Sequence, residues 1–163
     1  MTSPKTIRYG IVGFSRDQFD KKAAYLILDK IFRRIKEAHQ DQPIEIVSGY
    51  TNSGVPKIAY ELADKYRFTT TGFSAKQALQ VKSGVYPVNK CILVGEKFGD
   101  ESVSFVRYID ALIRIGGGKQ SRNEVELFRK MNVDKPIASC LEEYEIEGYG
   151  EKPEAPDDQL LKS

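Results

Sequence analysis

Asp110-Ala-Leu-Ile-Arg-Ile-Gly-Gly-Gly-Lys-Gln-Ser-Arg-Asn-Glu124 (DALIRIGGGKQSRNE) is the stretch on which the fold turns. Ala111–Ile115 is short and mostly apolar, the pattern of a buried strand. Three glycines stop it, and a helix is expected over Ser121–Met131. A strand delivered through glycines into a helix is the repeating joint of a parallel α/β sheet.

The same joint recurs on either side. Thr6–Phe14 (TIRYGIVGF) reads as a buried strand, followed by Ser15-Arg-Asp-Gln18, an S-x-x-Q capping box at a helix start. Ala24, Ile27, Leu28, Ile31 and Ile35 then fall at helical spacing over about 20 residues. Ile44–Ser48 is a second strand, Gly49–Gly54 a small-residue turn, and Val55–Lys65 a helix with Pro56 in its first turn. Arg67–Gly72 is a third strand, Ser74–Lys82 a brief helix, and Lys90–Gly95 a fourth strand, apolar enough for the sheet interior. Ser102–Tyr108 is expected as a helix and Lys135–Cys140 as the sixth strand. The fold class expected is therefore a three-layer α/β domain over residues 1–147, a parallel sheet of about six strands with helices on both faces. Residues 148–163 read as a disordered acidic tail.

Length and composition agree with one domain. The 163 residues are 40% hydrophobic and 29% charged, and no apolar run approaches the roughly 18 residues of a membrane helix. The N-terminus lacks the apolar core of a signal peptide, so a cytoplasmic location is expected. Cys91 and Cys140 are expected as buried thiols rather than a bridge. A single histidine, His39, excludes histidine-cysteine zinc clusters, and no metal is expected; catalysis would run on carboxylates. The net charge of +2 hides an asymmetry, because Glu142–Ser163 carries −6 and residues 1–141 carry +8. A basic body suits an anionic ligand, while a solvated surface with an acidic terminus is the plainer alternative.

Ligands of such sheets bind outside the carboxyl ends of the strands. Three junctions there are built from small, donor-rich residues: Gly13 with Ser15 and Arg16; Gly49 with Thr51, Asn52, Ser53 and Gly54; and Gly116, Gly117 and Gly118 with Lys119, Gln120 and Ser121. Backbone N–H groups and a helix N-terminus at each suit a phosphate. Neither the dinucleotide G-x-G-x-x-G nor the P-loop G-x-x-x-x-G-K-[ST] is present. Glu124 has two open readings: the far end of an S-x-x-E capping box on Ser121, or a carboxylate in the cleft acting as acid or base. Asp17 and Asp20 could pair with it. Lys21-Lys22 and Arg33-Arg34-Lys36 read as a solvated helix face in preference to a nucleic-acid platform. Tyr144 and Tyr149 read as parts of a solvated tail in preference to a lid.

The stretch from Asp110 to Glu124 resembles the strand–glycine–helix signature of the SLOG superfamily, a D-A-hydrophobic strand followed by G-G-x-G-T-x-x-E. Val47-Ser-Gly-Tyr-Thr-Asn-Ser-Gly-Val55 is similar to the superfamily's S-G-G-x-x-G-V-M turn, and Thr71-Gly-Phe-Ser-Ala75 to the strand that follows. The resemblance spans residues 6–141 and implies a Rossmann-like fold binding a small anionic nucleotide or nucleotide derivative, with no required cofactor and a homo-oligomeric state. Among its members are LOG phosphoribohydrolases, which imply cleavage of the N-glycosidic bond of a nucleoside 5′-monophosphate with Glu124 catalytic. Molybdenum-cofactor carrier-like proteins imply a non-catalytic sensor or carrier, and DprA implies a single-stranded nucleic-acid binder. The chain departs from the pattern at Tyr50, Lys119, Gln120 and Ser121. The arginine that LOG enzymes place at the start of the preceding helix has no match; Arg107 lies near that helix's end.

Overall fold

In the computed structural model, which describes residues 4–149, Ala111–Ile115 is the fifth strand of a six-stranded parallel sheet. The elements run β1 (Ile7–Gly13), α1 (Lys21–Ala38), β2 (Ile44–Ser48), α2 (Gly54–Tyr66), β3 (Thr69–Ser74), β4 (Lys90–Leu93), α3 (Ser102–Tyr108), β5 (Ala111–Ile115), α4 (Lys119–Met131) and β6 (Leu141–Tyr144). The strand order is β4-β3-β2-β1-β5-β6. Every pairing is parallel; β1 lies centrally, with Tyr9 opposite Ala111 on one side and Ile46 on the other. This is the expected three-layer Rossmann-like fold.

Two apolar layers hold the helices on. Leu28, Ile31, Phe32 and Ile35 of α1 and Ile58 and Leu62 of α2 pack on Ile11, Ile46 and Ile113. On the opposite face Phe105 and Val106 of α3 and Val125 and Phe128 of α4 cover Val12, Val47 and Leu112. Full burial of each such side chain contributes about 1.5–3 kcal/mol. The chain thus leaves β1 toward one face and β5 toward the other, and a crevice opens between their carboxyl ends. No helix of the described residues is long and apolar enough to cross a membrane.

Several boundaries differ from the sequence reading, each for a physical reason. Ser15–Gln18 does not open α1; Asp20 caps it, its carboxylate accepting from the Ala23 N–H at 3.0 Å. The third strand starts later than expected because Arg67 ends α2 in the left-handed conformation (φ 62°), a place usually taken by glycine. Lys76–Gln80 is a 3-10 turn. β4 is an edge strand, paired only with β3, and Cys91 on it is exposed rather than buried. Cys140 is half-buried, and both cysteines are free thiols.

The sixth strand is not Lys135–Cys140. Pro136 leads instead into a 3-10 turn, Ile137–Ser139, and the strand follows at Leu141–Tyr144. Its acids are neutralised by arginines: Glu142 pairs with Arg34, and Glu143 with Arg114 and Arg129. Tyr144 packs on the α1 side of the core and belongs to neither a tail nor a lid. Beyond it Phe19 pairs with Gly148, and the Tyr149 N–H donates to the Gln18 carbonyl at 2.8 Å. The rest of the expected tail, residues 150–163, lies outside the described residues.

Candidate functional site

The crevice at the carboxyl edge encloses a cleft of about 100 Å³. Ile11, Val12 and Gly13 of β1 and Ser15 beyond it form one wall, with Ser48, Gly49, Thr51 and Pro56 from the β2–α2 junction. Ser74, Phe98 and Glu101 close the second side, and Gln120, Ser121 and Glu124 of α4 the third. An adjoining groove of about 430 Å³ shares Ser15, Phe98 and Gln120 with it and adds Val103, Lys119, Asn123 and Leu127.

Of the residues singled out in the sequence, Gly13, Ser15, Gly49, Thr51, Gln120, Ser121 and Glu124 thus face one space, and Lys119 stands at its outer rim. The others take supporting positions. Ser53 donates its hydroxyl to the Ser15 carbonyl at 2.7 Å. The Gly54 N–H donates to Asp17 Oδ1 at 2.9 Å, and the Val55 N–H to the Phe14 carbonyl at 2.7 Å. The first amides of α2 are therefore spent on the β1–α1 loop, which corrects the expectation that Ser53 and Gly54 offer donors to a phosphate. Gly54 sits at φ 67°, and a Cβ there would meet the Phe14 carbonyl oxygen at 2.3 Å. The Asn52 N–H bonds the Gly84 carbonyl at 2.9 Å. Arg16 is half-buried in the bend before α1 and does not line the cleft.

The triple glycine is a structural turn that hands the chain to α4. Gly116 donates its N–H to the Tyr144 carbonyl at 2.7 Å, and Arg114, only 3% exposed, donates to the Gly116 carbonyl at 2.9 Å. Gly117 requires its glycine: its φ is 102°, and a Cβ would come within 2.2 Å of Ser121 Oγ. Gly118 is the N-cap of α4, and no side chain caps that end. The helix end behind the cleft therefore keeps its positive dipole end for a ligand, as helix N-termini do.

Because α4 starts at Lys119, Ser121 lies inside the helix and its hydroxyl bonds back to the Gly118 carbonyl at 3.0 Å. The capping-box reading of Glu124 falls with that boundary. Glu124 turns to α3, accepting a hydrogen bond from Ser102 Oγ at 2.9 Å, and is 5% exposed. Burial, reinforced by the nearby Glu101 carboxylate, pushes its pKa up to about 8. Glu101 is 4% exposed, accepts from the Gly99 N–H at 2.9 Å and from Gln120 Nε2 at 3.1 Å, and is also pushed up by burial.

Glu101 is the residue the sequence reading missed. It directly precedes α3 as its N-cap. Gln120, which stands where the superfamily has its last glycine, holds it there. Asp17 and Asp20 do not pair with Glu124, since one bonds Gly54 and the other caps α1. Arg107 is exposed on α3. Arg33 and Arg34 form ion pairs with Asp29 and Glu142 on a solvated helix face.

No protein-family model matches the chain, and no curated protein does. Solved structures do resemble it. The molybdenum cofactor carrier protein MCP from Chlamydomonas reinhardtii is 16% identical, with a TM-score of 0.63 over 85% of this chain and 89% of its own. The molybdenum cofactor binding protein from the phototrophic bacterium Rippkaea orientalis is 22% identical, with a TM-score of 0.61 over 90% and 79%. The X-ray structure of TM1055 is 16% identical, with a TM-score of 0.60 over 77% and 69%. At these identities the likeness is one of fold: this chain has the Rossmann-like architecture of the molybdenum-cofactor carriers.

Proposed function

We propose that the chain binds and carries a phosphate-bearing heterocyclic cofactor or nucleotide in the cleft, and does not hydrolyse it. The observation that carries this reading is the pairing of Glu101 with Glu124. Breaking an N-glycosidic bond builds positive charge on the sugar, which an ionised carboxylate stabilises. Here burial keeps Glu124 protonated up to about pH 8, and no arginine stands at the start of α3, where the hydrolase pattern implies one. A neutral carboxyl binds without repelling an anion.

The phosphate would rest on the uncapped N-terminus of α4, with Lys119 beside it. Two of the fold relatives are named for carrying or binding the molybdenum cofactor, which supports a cofactor of that kind as the ligand. The placement of Glu124 in the cleft is the one observation that favours the hydrolase reading instead. The test is equilibrium binding of molybdenum cofactor and of nucleoside 5′-monophosphates, run beside chromatographic detection of free base. Binding without base release is expected. Release by the wild type that is lost in Glu124→Gln would establish the hydrolase.

A further inference from the structure

Resting on that reading, we infer that Glu101 and Glu124 select the ring of the ligand: a 2-amino-4-oxopyrimidine edge, shared by guanine and pterin rings, enters the cleft and gives its ring N–H and amino group to Glu101. Its oxo group then faces Glu124.

The chemistry of the cleft carries this choice. Its lining includes two carboxyls and no lysine or arginine. Both carboxyls are nearly excluded from water and are held in place by Ser102 on Glu124 and by the Gly99 N–H and Gln120 on Glu101. A carboxylate has about four acceptor sites, so acceptor capacity remains on Glu101 for a ligand that brings donors. A ligand edge made only of acceptors would leave that capacity desolvated and unmet, which is costly. Glu124, which burial keeps protonated up to about pH 8, supplies the complementary O–H to an oxo group. One acceptor of two N–H groups beside one O–H donor matches the donor–donor–acceptor edge of the 2-amino-4-oxopyrimidine.

Size and distance agree. The cleft of about 100 Å³ admits the edge of a ring and not a whole nucleotide, while the adjoining groove of about 430 Å³ has room for the remainder. Phe98 lines both spaces and supplies apolar surface beside the ring. Glu124 lies five helical steps beyond Lys119, roughly 7.5 Å of rise, so a phosphate at Lys119 and a ring edge at Glu124 can belong to one molecule.

The experiment compares GMP with IMP, which differ only by the 2-amino group, together with neopterin monophosphate, by isothermal titration. The wild type should bind GMP at least about tenfold more tightly than IMP. In Glu101→Gln the difference should collapse to about twofold, because GMP loses the second acceptor while IMP needs only one for its ring N–H. A larger loss for GMP than for IMP separates loss of recognition from a damaged fold, which would weaken both alike. Glu124→Gln still offers a donor and should keep most of the discrimination. Neopterin monophosphate binding more tightly than GMP assigns the edge to a pterin, and the reverse order to a nucleotide. Equal affinity of the wild type for GMP and IMP overturns the edge recognition and leaves the phosphate-bearing ligand standing. Failure of all three to bind overturns the edge recognition, and failure of molybdenum cofactor and the other nucleoside 5′-monophosphates as well overturns the reading it rests on.

Discussion

Ser102, the first residue of α3, donates its hydroxyl to Glu124 of α4 at 2.9 Å, tying together the two helices that flank the cleft. The bond joins two buried side chains, so its removal leaves a carboxyl short of a partner where water cannot compensate. Ser102→Ala should cost about 1–3 kcal/mol of stability, read from urea or thermal melts. Ser102→Thr, which keeps the hydroxyl, should lose less.

The pH dependence of stability follows from Glu124. Its pKa in the fold is raised to about 8 from an ordinary 4.5, so between those values the unfolded chain has lost a proton that the folded one retains. Folding therefore weakens as pH rises through that window, by roughly 1 kcal/mol per pH unit from this group. Glu124→Gln, which carries no such proton, should gain thermal stability relative to the wild type as pH goes from about 5 to 8. Parallel melting curves of the two proteins across that range would refute this assignment.

Arg114 should be intolerant of change. It is buried beneath the glycine turn, donating to Glu143 at 3.0 Å, to Glu145 at 2.7 Å and to the Gly116 carbonyl. Arg114→Ala removes a buried side chain and leaves the Gly116 carbonyl unmet, while Glu143 and Glu145 keep Arg129 and Arg122, and should cost about 1–3 kcal/mol. Arg114→Lys should restore little of it, since an ammonium cannot span the three acceptors. Amide hydrogen exchange at residues 116–121 should accelerate in both variants.

Glu145 has the opposite titration sign to Glu124. Arg122 and Arg114 hold its pKa down to about 2, so its contribution is present above the ordinary value of 4.5 and fades as pH falls toward 2. Glu145→Gln should flatten the acid limb of the stability curve while leaving the region above about pH 6 unchanged in shape.

Gly54→Ala should disturb the cleft wall. The positive φ and the approach to the Phe14 carbonyl leave no room for a methyl group, and a cost of about 1–3 kcal/mol is expected. Gly84→Ala is the internal comparison: its φ is 76°, but a Cβ there meets nothing within 4 Å, so its cost should be smaller.

Much of the fold was legible because parallel strands and amphipathic helices write their periods locally. β2, α3 and β5 fall where the pattern puts them. The errors arose where partners distant in sequence override local preference. Leu141–Tyr144 looks like the start of an acidic tail until Arg34, Arg114 and Arg129 are seen beside it. Arg67 ends a helix without the glycine that would announce it. At the site, the small-residue junctions pointed to the right edge of the sheet, but spacing could not say which of their residues face inward. Glu101 carried no motif of its own; only the packing of α3 on α4 brings it to Glu124.

The pairing of Phe19 with Gly148, and of Gln18 with Tyr149, places the end of the described chain beside the β1–α1 loop at the carboxyl edge. The other end enters at the opposite edge, where the Ile7 N–H bonds the Pro43 carbonyl. Tyr149 therefore stands at the carboxyl edge, beside the loop that carries Ser15 into the cleft wall, whereas Ile7 stands a strand length away at the other edge. A substitution at Gly148 or Tyr149 bears on the crevice through that loop, and one at the start of β1 does not.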